Sequence, residues 1–221
     1  MKPYILKDHY PSGVLRSRSY YMGDQIHRED DPAIEWFNED GTLRAREWRQ
    51  YGLCHRKDGP AYESFYNDGL ILTSVWSIDG LRHREDEPAH ETFYPDGAVK
   101  SRLWYINGQF HREDGPAKEL FYEDGVLVSR GWYTDGVAHR EGGPTYESFY
   151  EDGALMSRMW RRNGHLHRED GPALENFAKD QRCTFARYYL NGKCIPKAEH
   201  RRRTTLQKLL ANHTANRDIS L

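Results

Sequence analysis

The sequence predicts an all-β protein: an elongated, single-layer antiparallel β-meander of six 28-residue hairpin repeats, closed by a C-terminal capping helix. Three observations predict it. His27, His55, His83, His111, His139 and His167 are each followed by Arg and recur without slippage at one interval, 28 residues (55 − 27). A fixed period of that size marks an array in which each unit buries its apolar face only against its neighbours. The four central intervals also hold two Asp-Gly or Asn-Gly turn pairs between aromatic and β-branched runs, as at Asp124-Gly125 and Asn107-Gly108, and the first and last hold one. Such pairs signal hairpins, because both turn positions must tolerate positive φ. Finally, hydrophobic residues make up 37% and charged residues 30%, too polar for a thick core, while 13% aromatics suit a thin sheet faced with rings and ion pairs.

Taken in order, residues 1–26 form a partial capping repeat in which Tyr10, Gly13, Leu15, Arg18 and Tyr20 stand where later copies place Tyr, Gly, Leu, Arg and Trp. An atypical terminal unit is what capping requires. Residues 27–194 hold the six full repeats. Each reads as a strand such as 117–122, a turn at Asp124-Gly125, a second strand over 126–133, and a second turn at Asp135-Gly136. Pro32, Pro60, Pro88, Pro116, Pro144 and Pro172 cannot donate to a ladder, so they mark a strand's first residue or a link between hairpins. Residues 195–221 change character. After Pro196, Leu206, Leu209 and Leu210 fall at helical spacing among Arg201, Arg202, Arg203 and Lys208, which predicts one helix over the last repeat with a frayed tail beyond about Asn212.

Placing Asp124 and Gly125 at the centre of a two-residue turn sets the register. Glu119 then faces Arg130, Ala117 faces Trp132, and Phe121 faces Val128. The same placement pairs Glu35 with Arg46, Glu91 with Arg102, and Glu147 with Arg158. Through the second turn it sets Trp76 against His83, Trp104 against His111, and Trp132 against His139. Opposite charges and complementary sizes fall together without having been used to choose the register, which supports a continuous meander. Glu63 faces Ser74 and Glu175 faces Ala186, so two units are expected to lack the ion pair.

Composition narrows the function classes. A formal charge of −2 leaves no bulk field to recruit nucleic acid or a membrane surface. Cys54, Cys183 and Cys194 form no C-x-x-C pair or disulfide framework, and no apolar run reads as a leader or a membrane span. A cytoplasmic protein is the expectation.

His111–Ala117 and the Trp104-Tyr105-Ile106-Asn107-Gly108 hairpin resemble MORN-type repeats, and still more the HREDGPA-type repeats of phage, bacterial and giant-virus proteins. The resemblance spans residues 27–194. It implies a curved single-layer β surface used for binding or scaffolding; the 28-residue unit and the His-Arg-Glu-Asp turn depart from the commonest MORN signature.

The repeated columns each invite a chemical reading. The histidines could ligate metal, but one per unit sets them too far apart for a shared ion, so each is read as stacked on Trp and bonded to a carboxylate of its own turn, such as Asp58 or Asp114. The Glu–Arg rows and the column Trp48, Trp76, Trp104, Trp132 and Trp160 are read as structural ladders. Tyr66, Tyr94, Tyr122 and Tyr150, turned away from the Phe121 face, are the better ligand contacts, and Arg201–Arg203 is read as a solvated helix face. No lone nucleophile or carboxylate pair stands outside the repeat, and catalysis concentrates one unlike constellation in one place. The expectation is a non-catalytic scaffold with no metal or cofactor that binds a protein partner through Arg84, Arg102, Arg112, Arg130, Arg140, Tyr94 and Tyr122. The alternative is a phage-encoded inhibitor or sponge that captures a host protein or a nucleotide signal.

Overall fold

The computed structural model describes residues 2–206, and strands account for all its regular structure except one helix at 197–206. The chain divides into two compact units, residues up to Gly136 and residues from Val137, parted in the second turn of the fourth repeat just ahead of His139.

In the first unit ten strands pair antiparallel in chain order: Pro3–His9, Leu15–Met22, Ile34–Phe37, Leu43–Glu47, Tyr62–Phe65, Ile71–Val75, His90–Phe93, Val99–Leu103, Lys118–Phe121 and Leu127–Gly131. The second unit repeats the pattern with Tyr146–Phe149, Leu155–Met159, Leu174–Phe177, Cys183–Leu190 and Lys193–Ile195. The predicted charge register holds at the centre of each hairpin: Glu35 is opposite Arg46, Glu91 opposite Arg102, Glu119 opposite Arg130, and Glu147 opposite Arg158.

The first turn reaches that register by a different route from the one expected. Tyr122 N–H donates to Val126 O at 2.8 Å and Gly125 N–H to Tyr122 O at 3.0 Å, which closes a three-residue loop. Only Gly125 takes a positive φ (84°), and Asp124 instead accepts the Val126 N–H on Oδ1 at 3.0 Å. That is a short turn followed by a left-handed glycine, with the aspartate side chain holding the bend. Phe121 therefore pairs with Leu127 and not with Val128, and a bulge at Val128 adds back the residue that the longer loop removed. The second turn is the two-residue kind: Asn107 and Gly108 have φ of 50° and 79°, the pair of positive values that makes Asn-Gly favourable.

The meander is not continuous through the second turn. The Trp104 N–H leaves its own hairpin to donate to Ala117 O of the next unit at 2.8 Å, while Trp104 O accepts from His111 N–H at 3.2 Å. Beyond this corner, Tyr105–Ile106 and Gln109–Phe110 form a short hairpin separate from the main sheet. Successive short hairpins bond to one another through Gly80 N–H to Cys54 O and Gly108 N–H to Arg82 O, both 2.8 Å. Each unit of the array thus contributes to two parallel rows. Ala33, Ala61, Ala89 and Ala117 are fully buried at the corner, beside the buried Trp48 and Trp104. A methyl group there is what leaves room for the indole.

The termini differ from the interior. Strand Pro3–His9 is exposed along its whole length, and Lys7, opposite Arg18, stands where later copies carry glutamate. In the second unit the helix folds back on the last His-Arg loop. His200, 3% exposed, hydrogen-bonds Arg168 O at 2.8 Å and packs against Tyr188, while Thr204 Oγ1 donates to Glu169 O at 2.6 Å. The expected helix is present, but polar side chains dock it: Leu206 is 59% exposed, and Leu209 and Leu210 lie outside the described residues.

Candidate interaction surfaces

One face of each sheet carries the charge ladder. Because a central strand has two neighbours, Arg102 is opposite Glu91 within its hairpin and opposite Glu119 in the next. Side chains mostly reach to the next hairpin. Arg18 holds Glu35 through Nε and Nη2, Arg46 Nε lies 2.6 Å from Glu63, and Arg158 Nε lies 2.7 Å from Glu175. The expectation that Glu63 and Glu175 lack an arginine is therefore corrected, since their partners come from the preceding hairpin. Donating to Glu35 raises the Arg18 pKa, while burial pushes the Glu91 and Glu119 carboxyls up against the pull of their arginines. Each guanidinium also lies over rings: Arg46 is 5.1 Å from Trp48 and 5.5 Å from Phe65, and Arg130 is 5.1 Å from Trp132.

The ring that stacks on tryptophan is not the histidine. Arg84 covers Trp76 at 4.0 Å, Arg112 covers Trp104 at 4.1 Å, and Arg168 covers Trp160 at 3.8 Å. Each of these arginines also donates to the proline carbonyl four residues on, as Arg84 does to Pro88 O at 3.2 Å. The loop carboxylate serves the arginine: Asp114 accepts from Arg112 Nε at 2.9 Å, which lowers its pKa. Histidine instead faces the second turn of its own unit, 24 residues on. The backbone N–H of Asp79 donates to His55 Nδ1 at 3.2 Å, that of Asn107 to His83 at 3.2 Å, and that of Asn191 to His167 at 3.0 Å. A type I′ turn presents that N–H outward, which is why the histidine recurs with the turn. His27, His55 and His167 are buried, His83 and His111 half-buried, and His139 exposed. Among the described residues no three His, Cys, Asp or Glu side chains gather as metal ligands would.

The contacts expected for a partner have internal roles. Arg84 and Arg112 are held as above, Arg140 donates to Pro144 O at 3.2 Å, and Arg102 lies 3.5 Å from Glu91. Tyr94 OH donates to Phe121 O at 2.9 Å, as Tyr66 does to Phe93 and Tyr150 to Phe177. The tyrosine column thus staples one hairpin to the next, and Tyr122 sits in the first-turn loop.

The other face of the main strands differs from copy to copy. In the first unit, Ile34, Tyr62, His90 and Lys118 occupy one equivalent position, and Trp36, Ser64, Thr92 and Leu120 another. Tyr10, Arg16, Trp36, Phe37, Arg44, Ala45 and Tyr62 line a cleft of about 350 Å³ there, with Arg44 exposed and the two large rings half-buried. The sequence did hold a signal for it: Trp36 is the single tryptophan outside the 28-residue column. His90 is the odd member of its position. Both ring nitrogens are buried without a hydrogen-bond partner, and burial, with Arg82 nearby, drops its pKa to about 4.

No family model matches the chain, and no curated protein matches it. No helix among the described residues is long and apolar enough to cross a membrane.

Proposed function

We propose that the chain is a non-catalytic binding protein that recognises a protein partner through the variable face of its repeat sheet. One observation carries this reading. The repeated Arg, Trp, Tyr and Glu side chains are engaged within the chain, whereas copy-specific side chains are left to the opposite face, where Trp36, Tyr62 and Arg44 line one cleft. Tryptophan, tyrosine and arginine are the residues that dominate binding energy at protein interfaces, and a repeat array supplies the rigid frame they need.

Affinity capture from cells that make the protein, with the full chain as bait, tests it. A partner recovered in stoichiometric amount by wild type is expected to be lost on Trp36→Ala or Tyr62→Ala, with circular dichroism unchanged. Retention unaltered by both substitutions removes the assignment. Arg112→Glu is a poor probe, because it breaks the stack on Trp104 and the bond to Pro116 and so acts through the fold.

A further inference from the structure

The ladder has one interior break, at Ser74. This residue is the backbone partner of Glu63 on one side and of Glu91 on the other, the place that Arg46 and Arg102 fill in the neighbouring copies. The surroundings of a ladder arginine are consistent. A glutamate of the next hairpin accepts from it, a tryptophan lies two residues on, and a phenylalanine of the next hairpin lies beneath: Glu63, Trp48 and Phe65 for Arg46, and Glu175, Trp160 and Phe177 for Arg158. Counted from position 74, the same surroundings are Glu91, Trp76 and Phe93. They are built but not matched by an arginine of this strand.

Two further observations fit a site open to solvent. The Glu91 side chain is 21% exposed, against 11% for Glu35 and 9% for Glu63. Trp76 is half-buried, as Trp160 is, whereas Trp48 and Trp104 are buried at 6% and 7%. Glu91 lies 3.5 Å from Arg102 of its own hairpin, and the charge of Arg84 also acts on it, but no arginine of the preceding hairpin reaches it.

We infer that Ser74 marks a receptor for an arginine side chain of the partner protein, which enters between Glu63 and Glu91 over Trp76 and Phe93 and completes the ladder in trans. Guanidinium fits better than ammonium, because a planar fork can bond carboxylate oxygens while lying on aromatic faces, as Arg18, Arg46 and Arg158 of this chain already do. This inference rests on the binding-protein reading but concerns the opposite face of the sheet.

The test uses the isotope-labelled full chain and the peptide acetyl-Gly-Arg-Gly-amide, with the lysine peptide as control, read at the Trp76 indole N–H by NMR. A saturable shift is expected with the arginine peptide, at least about tenfold weaker with lysine. Ser74→Arg is expected to abolish the response and raise the melting temperature, since the tethered side chain fills the site, whereas Ser74→Ala preserves it. A missing shift at Trp76, or one that survives Ser74→Arg, overturns the inference. The captured partner separates the two readings. Retention lost on Trp36→Ala but kept on Ser74→Arg sinks this site and leaves the binding protein standing; retention indifferent to both sinks both.

Discussion

In the first unit the two faces of the main sheet obey different rules. The ladder face repeats Ala, Glu and Phe on one strand and Arg and Trp on the next, and the contacts show why: the arginines reach glutamates one hairpin away, so a change in one copy disturbs two. The opposite face carries Ile34, Tyr62, His90 and Lys118 at a single equivalent position, because side chains there take no part in the charge ladder, even though some pair across strands, as Thr92 and Ser101 do at 2.7 Å. Repetition in an array is therefore a record of contacts between units, and variation marks the surface on which selection is free to act.

Substitution can break that contrast, and the largest effect belongs to the ladder face. Trp104→Ala removes a buried ring, the surface on which Arg112 stacks, and is expected to cost roughly 3–5 kcal/mol in denaturant unfolding. A loss below about 1 kcal/mol would mean that the corner is not the core.

His90 gives the next effect and a pH signature. Its folded pKa, about 4, lies below the ordinary value of 6.5, so the unfolded chain takes up the proton first. Stability from this group is complete above about pH 6.5, declines as pH falls toward 4, and levels off below. With solvent reaching the half-buried ring, the loss is expected to be about 2 kcal/mol. Melting curves of wild type and His90→Leu should diverge across that window, the variant losing less; parallel curves would show that the ring finds a partner.

Tyr94→Phe deletes one hydrogen bond to Phe121 O and is expected to cost about 1 kcal/mol, measurable by thermal melting. Smallest is Lys118→Ala on the variable face, expected to change stability by no more than about 0.5 kcal/mol in the same assay. A larger cost would show that this face also binds units together.

Much of the architecture was legible because the residues that make it recur. The charge register came out of the turn residues, yet Phe121 was misplaced by one position: an aspartate-glycine pair does not reveal whether one or both residues turn left-handed. Two one-residue offsets, a longer loop and a bulge at Val128, cancel before Glu119. The histidine's partner was missed because it lies 24 positions on, at the far end of the same unit, a distance no local pattern encodes. Ser74 was legible as a break in the ladder, whereas Trp36 stood outside the tryptophan column and a reading built on the repeat passed over it.

Lys7 gives the ladder a terminus. An exposed edge strand ordinarily templates further strands, and a row of alternating charges would choose arginine-bearing ones. Here an arriving strand of that kind meets an ammonium group where an interior hairpin offers a carboxylate, and Pro3 supplies no N–H to bond it. At this edge of the described sheet, pairing with such a strand is opposed by electrostatics, and Lys7→Glu would remove that part of the barrier while leaving Pro3 in place.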